Sequence, residues 1–147
     1  MEEIILRKMT LEDVDSVTEL DEKSFEKDAW SRRLFIYEAE NPNAEYTVAE
    51  IDGKIIGCIG INIFEDTAYI STIAVDTELR RRGIGQKLIA ESISIAQNLG
   101  AKYMLMEVRR SNIPSISIFK KFGFKVLRRE EKYYSDGEDA FIMGLKF

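Results

Sequence analysis

A mixed α/β sheet with a helix on either face is the fold class the sequence predicts, and three observations predict it. Tyr46–Ile51 and Lys54–Phe64 are β-rich runs joined by Asp52-Gly53, a strong hairpin signal. From Gly83 to Leu99, the residues Ile84, Leu88, Ile93, Ala96 and Leu99 recur at helical spacing, and Gly100 sits where a C-terminal cap belongs. Apolar runs and helical stripes then alternate toward the C terminus, so strands and helices must share a core.

Each element has its own signal. Ile4-Ile5-Leu6 predicts a first strand, and Thr10 a cap for a helix carrying Leu11, Val14, Val17 and Leu20 on one stripe. The pattern breaks around Phe25–Trp30, after which Ser31 is placed to cap a short helix through Leu34 and Phe35. Ala68–Val75 predicts a strand before the Gly83 helix, and Tyr103–Val108 is apolar enough for a buried strand after it. Asn112 with Pro114 opens a further helix, ended by Gly123. Two last strands, Phe124–Tyr134 and Ala140–Phe147, flank Ser135-Asp136-Gly137. No repeat or linker interrupts the chain, so residues 1–147 read as a single domain.

Composition excludes several function classes. The chain has no histidine and a lone cysteine, Cys58. That removes Ser-His and Cys-His nucleophilic pairs, an internal disulfide and a multi-cysteine metal site, and leaves only carboxylates as metal ligands; the expectation is no metal. Any general base must be Glu, Asp, Tyr, Lys or a water that one of them activates. A net charge of −5 argues against a nucleic-acid surface. No run reaches the roughly 18 apolar residues of a membrane span, and Met1-Glu2-Glu3 is unlike a signal peptide. A cytoplasmic globular protein is the expectation. Cys58, inside Ile55-Ile56-Gly57-Cys58-Ile59, reads as a small core residue.

The segment from Ile73 to Gln86 is the most informative. A strand ends near Val75, a polar loop with Arg80, Arg81 and Arg82 follows, and a helix starts at Gly83-Ile84-Gly85-Gln86. Unpaired N–H groups at a helix start suit an anion, and the glycines remove Cβ atoms that would hold it away. A Walker loop fails because Gln86 follows Gly85, and a dinucleotide fingerprint fails because position 88 is Leu. Arg80-x-x-Gly83-x-Gly85 resembles the pyrophosphate motif of the GNAT acetyltransferase superfamily. Glu107-Val108-Arg109, Ser111-Asn112, Phe122-Gly123-Phe124, Tyr133-Tyr134 with Asp136 to Ala140, and Trp30-Ser31 extend the likeness to the RimI group of protein N-terminal acetyltransferases.

That resemblance implies a mostly antiparallel sheet of about seven strands flanked by about four helices, with acetyl-CoA as co-substrate. Ile73, Ala74 and Val75 would pair their backbone with the pantetheine arm, Arg81, Arg82, Gly83, Ile84, Gly85 and Gln86 would cradle the pyrophosphate, and Asn112 would reach the cofactor, cap its helix, or both. An N–H near Ala74 would serve the oxyanion. Glu107 would be the general base, its basicity raised by partial burial, unless it is an exposed carboxylate paired with Arg109 or Arg110. Phe25, Trp30, Tyr133 and Tyr134 would frame the acceptor, although one of the two tyrosines is expected in the core. Phe119 stands where the RimI group carries a tyrosine proton donor, so another tyrosine or water would replace that acid.

The resemblance makes the chain an acetyltransferase acting on a protein or peptide N-terminus, as a monomer or weak homodimer, without nucleic acid or membrane. The alternative readings are an enzyme for a small amine or lysine side chain, and a catalytically silent acyl-CoA-binding module.

Overall fold

The computed structural model describes residues 3–25, 30–79 and 82–147. Its strands are β1 (Ile5–Lys8), β2 (Ala44–Ile51), β3 (Lys54–Phe64), β4 (Thr67–Val75), β5 (Tyr103–Arg109), β6 (Lys125–Glu130) and β7 (Ala140–Lys146). The α-helices are α1 (Val14–Phe25), α2 (Arg32–Glu40), α3 (Ile84–Asn98) and α4 (Ile113–Lys121). One sheet runs in the order β1-β2-β3-β4-β5-β7-β6, so β1 and β6 are its edges. The β1–β2, β2–β3, β5–β7 and β6–β7 pairs are antiparallel. The β4–β5 pair is parallel, from Thr67↔Tyr103 to Tyr69↔Leu105.

The chain divides into two compact units. The first comprises Met1–Asn62 and Ser71–Ile95. Its β2–β3 turn places Asp52 at φ 50° and Gly53 at φ 80°, the left-handed pair that a two-residue hairpin needs. Val14, Val17, Leu20, Phe35, Tyr46, Val48, Cys58 and Ala74 form its buried cluster. Leu11 is not part of that stripe: it sits 56% exposed in a 3₁₀ turn, Leu11–Asp13, that precedes α1. The turn is held by the Asp13 carboxylate, which accepts from the Thr10 N–H at 2.8 Å and from Arg7 at 2.7 and 2.8 Å. Ser31 caps α2 by accepting from the Leu34 N–H at 3.3 Å. On α3 the buried face is Ile84, Leu88, Ile89, Ser92 and Ala96. Leu99 was expected on that face but is 53% exposed, because the helix ends at Asn98 and Gly100 turns the chain at φ 88°.

The second unit comprises Ile63–Ile70 and Ala96–Phe147. β5 alternates strictly: Met104, Met106 and Val108 are buried, while Tyr103 and Glu107 are exposed. That is the period of a strand with one covered face. β5 pairs with β7 throughout, from Tyr103↔Lys146 to Arg109↔Ala140. Asn112 caps α4 by accepting from the Ser115 N–H at 3.3 Å, and Gly123 ends the turn after it at φ 96°. Phe119 and Phe124 meet edge to face at 5.1 Å, both almost fully buried. β6 is shorter than the Phe124–Tyr134 expectation. It stops at Glu130, because Lys132 takes φ 51° and its N–H is accepted by the Asp139 side chain, which breaks the ladder.

Candidate active site

In the first unit, β4 ends at Val75 and α3 begins at Ile84. Gly83 lies at φ 79° and its carbonyl accepts from the Lys87 N–H at 3.0 Å, which makes it the residue from which the helix starts. The N–H groups of Ile84, Gly85 and Gln86 therefore belong to the first turn, ahead of the ladder that Lys87 opens. A Cβ added at Gly83 would meet nothing within 4 Å, and one at Gly85 only the Val75 side chain at 3.8 Å. Among the described residues, the space beside the backbone at Gly83 and Gly85 is therefore open. Ile84 contributes backbone only, since its side chain is buried, whereas Arg82 and Gln86 are exposed. Arg80 and Arg81 lie outside the described residues. Ala74 is buried and Ile73 and Val75 half-buried along β4.

Phe25 and Trp30, expected on the acceptor side, are half-buried against the first unit's core. The Trp30 ring lies 5.5 Å from Phe35 and 6.5 Å from Tyr46. The Trp30 N–H donates to the buried carboxylate of Asp21 at 2.8 Å.

The second unit gathers the titrating groups. Glu107 is exposed rather than partly buried, because it falls on the open face of β5. Its partner is neither Arg109 nor Arg110: the Tyr133 hydroxyl donates to its Oε2 at 2.5 Å. That bond to a carboxylate, followed by desolvation, pushes the Tyr133 phenol up to about 12. Neither tyrosine is a core residue. Both lie beyond the end of β6, with Tyr133 47% exposed and Tyr134 half-buried, meeting edge to face at 5.1 Å. The Arg109 guanidinium sits 4.0 Å from the centre of the Tyr134 ring, a cation–π contact. Arg109 also donates to Asp136 and Glu138, at 3.0 and 2.9 Å. Glu138 accepts from the Ser111 N–H at 2.9 Å, and its contacts with Ser111 and Arg109 hold its carboxyl below the usual range.

Arg109, Asp136 and Glu138 thus fix the connection that carries the tyrosines, a role the sequence did not assign to them. The signal was present in part, since Glu107 and Arg109 share one face of a strand by parity. Asn112 is exposed, with its side-chain oxygen engaged in the α4 cap. Phe119, buried and edge to face with Phe124, has no polar atom to offer. Burial raises the Cys58 thiol and keeps it in the core as expected. Among the described residues, no helix is long and apolar enough to cross a membrane, and no group of three or more acidic or cysteine side chains could hold a metal.

Residues 14–124 match the family model described as the acetyltransferase (GNAT) family. A Bacillus subtilis protein provisionally named ribosomal protein bS18-alanine N-acetyltransferase is 39% identical over 140 residues, covering 94% of this chain and 92% of the relative. The crystal structure of the ribosomal-protein-S18-alanine N-acetyltransferase from Escherichia coli superposes with a TM-score of 0.91 at 24% identity, covering 98% of this chain and 94% of that one. Arabidopsis thaliana NAA60, solved in complex with acetyl-CoA, superposes with a TM-score of 0.88 at 18% identity, covering 99% of both chains.

Proposed function

The chain belongs to the GNAT acetyltransferase family, as an acyltransferase of the RimI-like kind, and from that premise we propose that residues 1–147 act as one domain that acetylates the N-terminal α-amine of a protein. A ribosomal protein beginning with alanine is the first acceptor to test, given the name borne by the Bacillus subtilis relative. Acetyl-CoA supplies the acyl group as a thioester. The α3 start at Gly83, Ile84, Gly85 and Gln86, with Arg81 and Arg82, holds the pyrophosphate. Ile73, Ala74 and Val75 align the pantetheine arm, with an N–H near Ala74 for the oxyanion, and Asn112 contacts the cofactor. Phe25, Trp30, Tyr133 and Tyr134 border the acceptor.

The single observation that carries the chemistry is the Tyr133–Glu107 hydrogen bond. It holds an otherwise exposed carboxylate in one orientation, as a general base requires. Glu107 takes a proton from the incoming ammonium, the nitrogen bonds to the thioester carbon, and the C–S bond breaks to release a thiolate. A thiol of pKa about 8.5 leaves as thiolate at pH 7 for only ~2 kcal/mol, so a buried Phe119 in place of an acid does not block release. The same arithmetic favours an α-amine. Its pKa is near 8 against about 10.4 for lysine, a difference of ~3.4 kcal/mol in reaching the neutral nucleophile.

A peptide with N-terminal alanine and an internal lysine, incubated with acetyl-CoA and read by mass spectrometry with fragment localisation, tests the proposal. Acetylation is expected at the N-terminus. Modification mainly on lysine, or turnover only with small amines, overturns the acceptor and leaves the family membership intact.

A further inference from the structure

Asp21 is 1% exposed and carries no counter-ion among the described residues. Its carboxylate instead accepts from two neutral donors far apart in the chain. Oδ2 takes the Trp30 backbone N–H at 2.8 Å, and Oδ1 takes the Thr72 hydroxyl at 2.9 Å. Burial raises this carboxyl, with the two hydrogen bonds opposing the rise. A leucine would fill similar volume without the desolvation cost of a buried acid. What the acid supplies is reach: a short side chain with two acceptor oxygens, rigid on α1, bonding in two directions.

The two donors are not arbitrary. Trp30 immediately precedes Ser31, the cap of α2, and its ring packs on Phe35 and Tyr46. The Trp30 N–H lies before the helix, so the side chain of Asp21 is the partner that satisfies it. Thr72 immediately precedes Ile73, Ala74 and Val75 on β4 and is itself buried. We infer that Asp21 is a positioning residue for acetyl transfer, one carboxylate that fixes the acceptor-side Trp30 against the strand that aligns the thioester. The inference rests on the acceptor and pantetheine roles proposed above for Trp30 and β4. Asp21 touches neither substrate and acts through these two residues.

Asp21→Ala, Thr72→Val and Asp21→Asn in the full chain test this. Trp30 is the one tryptophan of the sequence, so its fluorescence reports the clamp without any acceptor. In Asp21→Ala the Trp30 emission should shift to the red. The KM for an N-terminal alanine peptide should rise about tenfold or more, as small misplacements in a site produce, while acetyl-CoA Kd by calorimetry stays within about twofold. Thr72→Val, which conserves volume and keeps the test open if Asp21→Ala does not fold, should move both readouts the same way by less. It should add nothing further in the Asp21→Ala background. Asp21→Asn should behave like wild type, since its oxygen accepts from Trp30 and its amide donates to Thr72. Unchanged emission and KM in both Asp21→Ala and Thr72→Val overturn the inference. So does a parallel loss of acetyl-CoA binding in all three variants, which would mark Asp21 as a fold residue only. If wild type acetylates no peptide terminus, the acceptor reading fails, and the emission series still decides whether Asp21 holds Trp30.

Discussion

Replacing Glu107 by Gln probes the Tyr133–Glu107 pair by two independent routes. The substitution keeps shape and a hydrogen-bond acceptor but removes the charge. Tyr133 ionises at about 12 in the intact protein, chiefly because its proton is held by the Glu107 carboxylate. Without that charge its pKa should fall toward the ordinary 10 of a tyrosine. At pH 11 the phenol would then pass from ~10% ionised to as much as ~90%. Phenolate absorbance in the near ultraviolet should therefore show about one additional tyrosine ionising near pH 11 in the variant. Turnover with a peptide acceptor at pH 7 should drop by roughly 10²–10⁴-fold, with partial recovery at high pH where the amine deprotonates unaided. Superimposable alkaline titrations would show that the bond is not formed in solution. Wild-type turnover at pH 7 would show that Glu107 is not the base.

Gly83→Asp should abolish most acetyl-CoA binding in calorimetry, by setting a carboxylate against the pyrophosphate, whereas Gly83→Ala should show only the smaller strain of a Cβ at φ 79°. Equal affinity in both variants would remove the α3 start from the site. Gly60→Ala should lower stability by about 1–3 kcal/mol in chemical denaturation, because its Cβ would lie 2.2 Å from the Tyr46 ring. Asp13→Asn should cost about 1–3 kcal/mol at neutral pH, since Arg7 and Thr10 hold that carboxyl below its ordinary value. A depressed folded pKa gives stability present above the unfolded value near ~3.9 and lost as pH falls through the folded one. The gap between wild type and Asp13→Asn should therefore close in acid, and a gap that is constant with pH would refute the assignment.

The fold was legible where local chemistry determines it. Asp52-Gly53, the Ser31 and Asn112 caps and Gly100 each fix a boundary through one residue's own geometry, and each lies where the sequence places it. Periodicity was less exact at element ends. Leu11 and Leu99 continue their stripes in sequence, but α1 begins only after Leu11 and α3 ends before Leu99, and both side chains are exposed. The site was legible by residue type and not by partner. Glu107 was singled out, yet its bond to Tyr133 joins positions 26 apart through a connection whose shape depends on Lys132 turning out of β6. Asp21 carried no local signal, because its role arises only when Thr72, 51 residues away, is brought beside it.

The two edges of the sheet bear on how copies of this protein meet. β1 is four residues long and carries Arg7 and Lys8; β6 carries Lys125, Arg128 and Arg129, with a register shift between Val126 and Arg128. A strand adding to either edge would have to accommodate these long charged side chains and their ion pairs, and on β6 it would also meet an irregular row of donors and acceptors. Short, charged or bulged edges are how sheets avoid continuing from one molecule to the next. Concentrated solutions should therefore tolerate crowding without fibrillar growth. Arg128 and Arg129 are where neutralising substitutions would first erode that tolerance, by leaving the exposed Val126 and Leu127 with fewer charged neighbours.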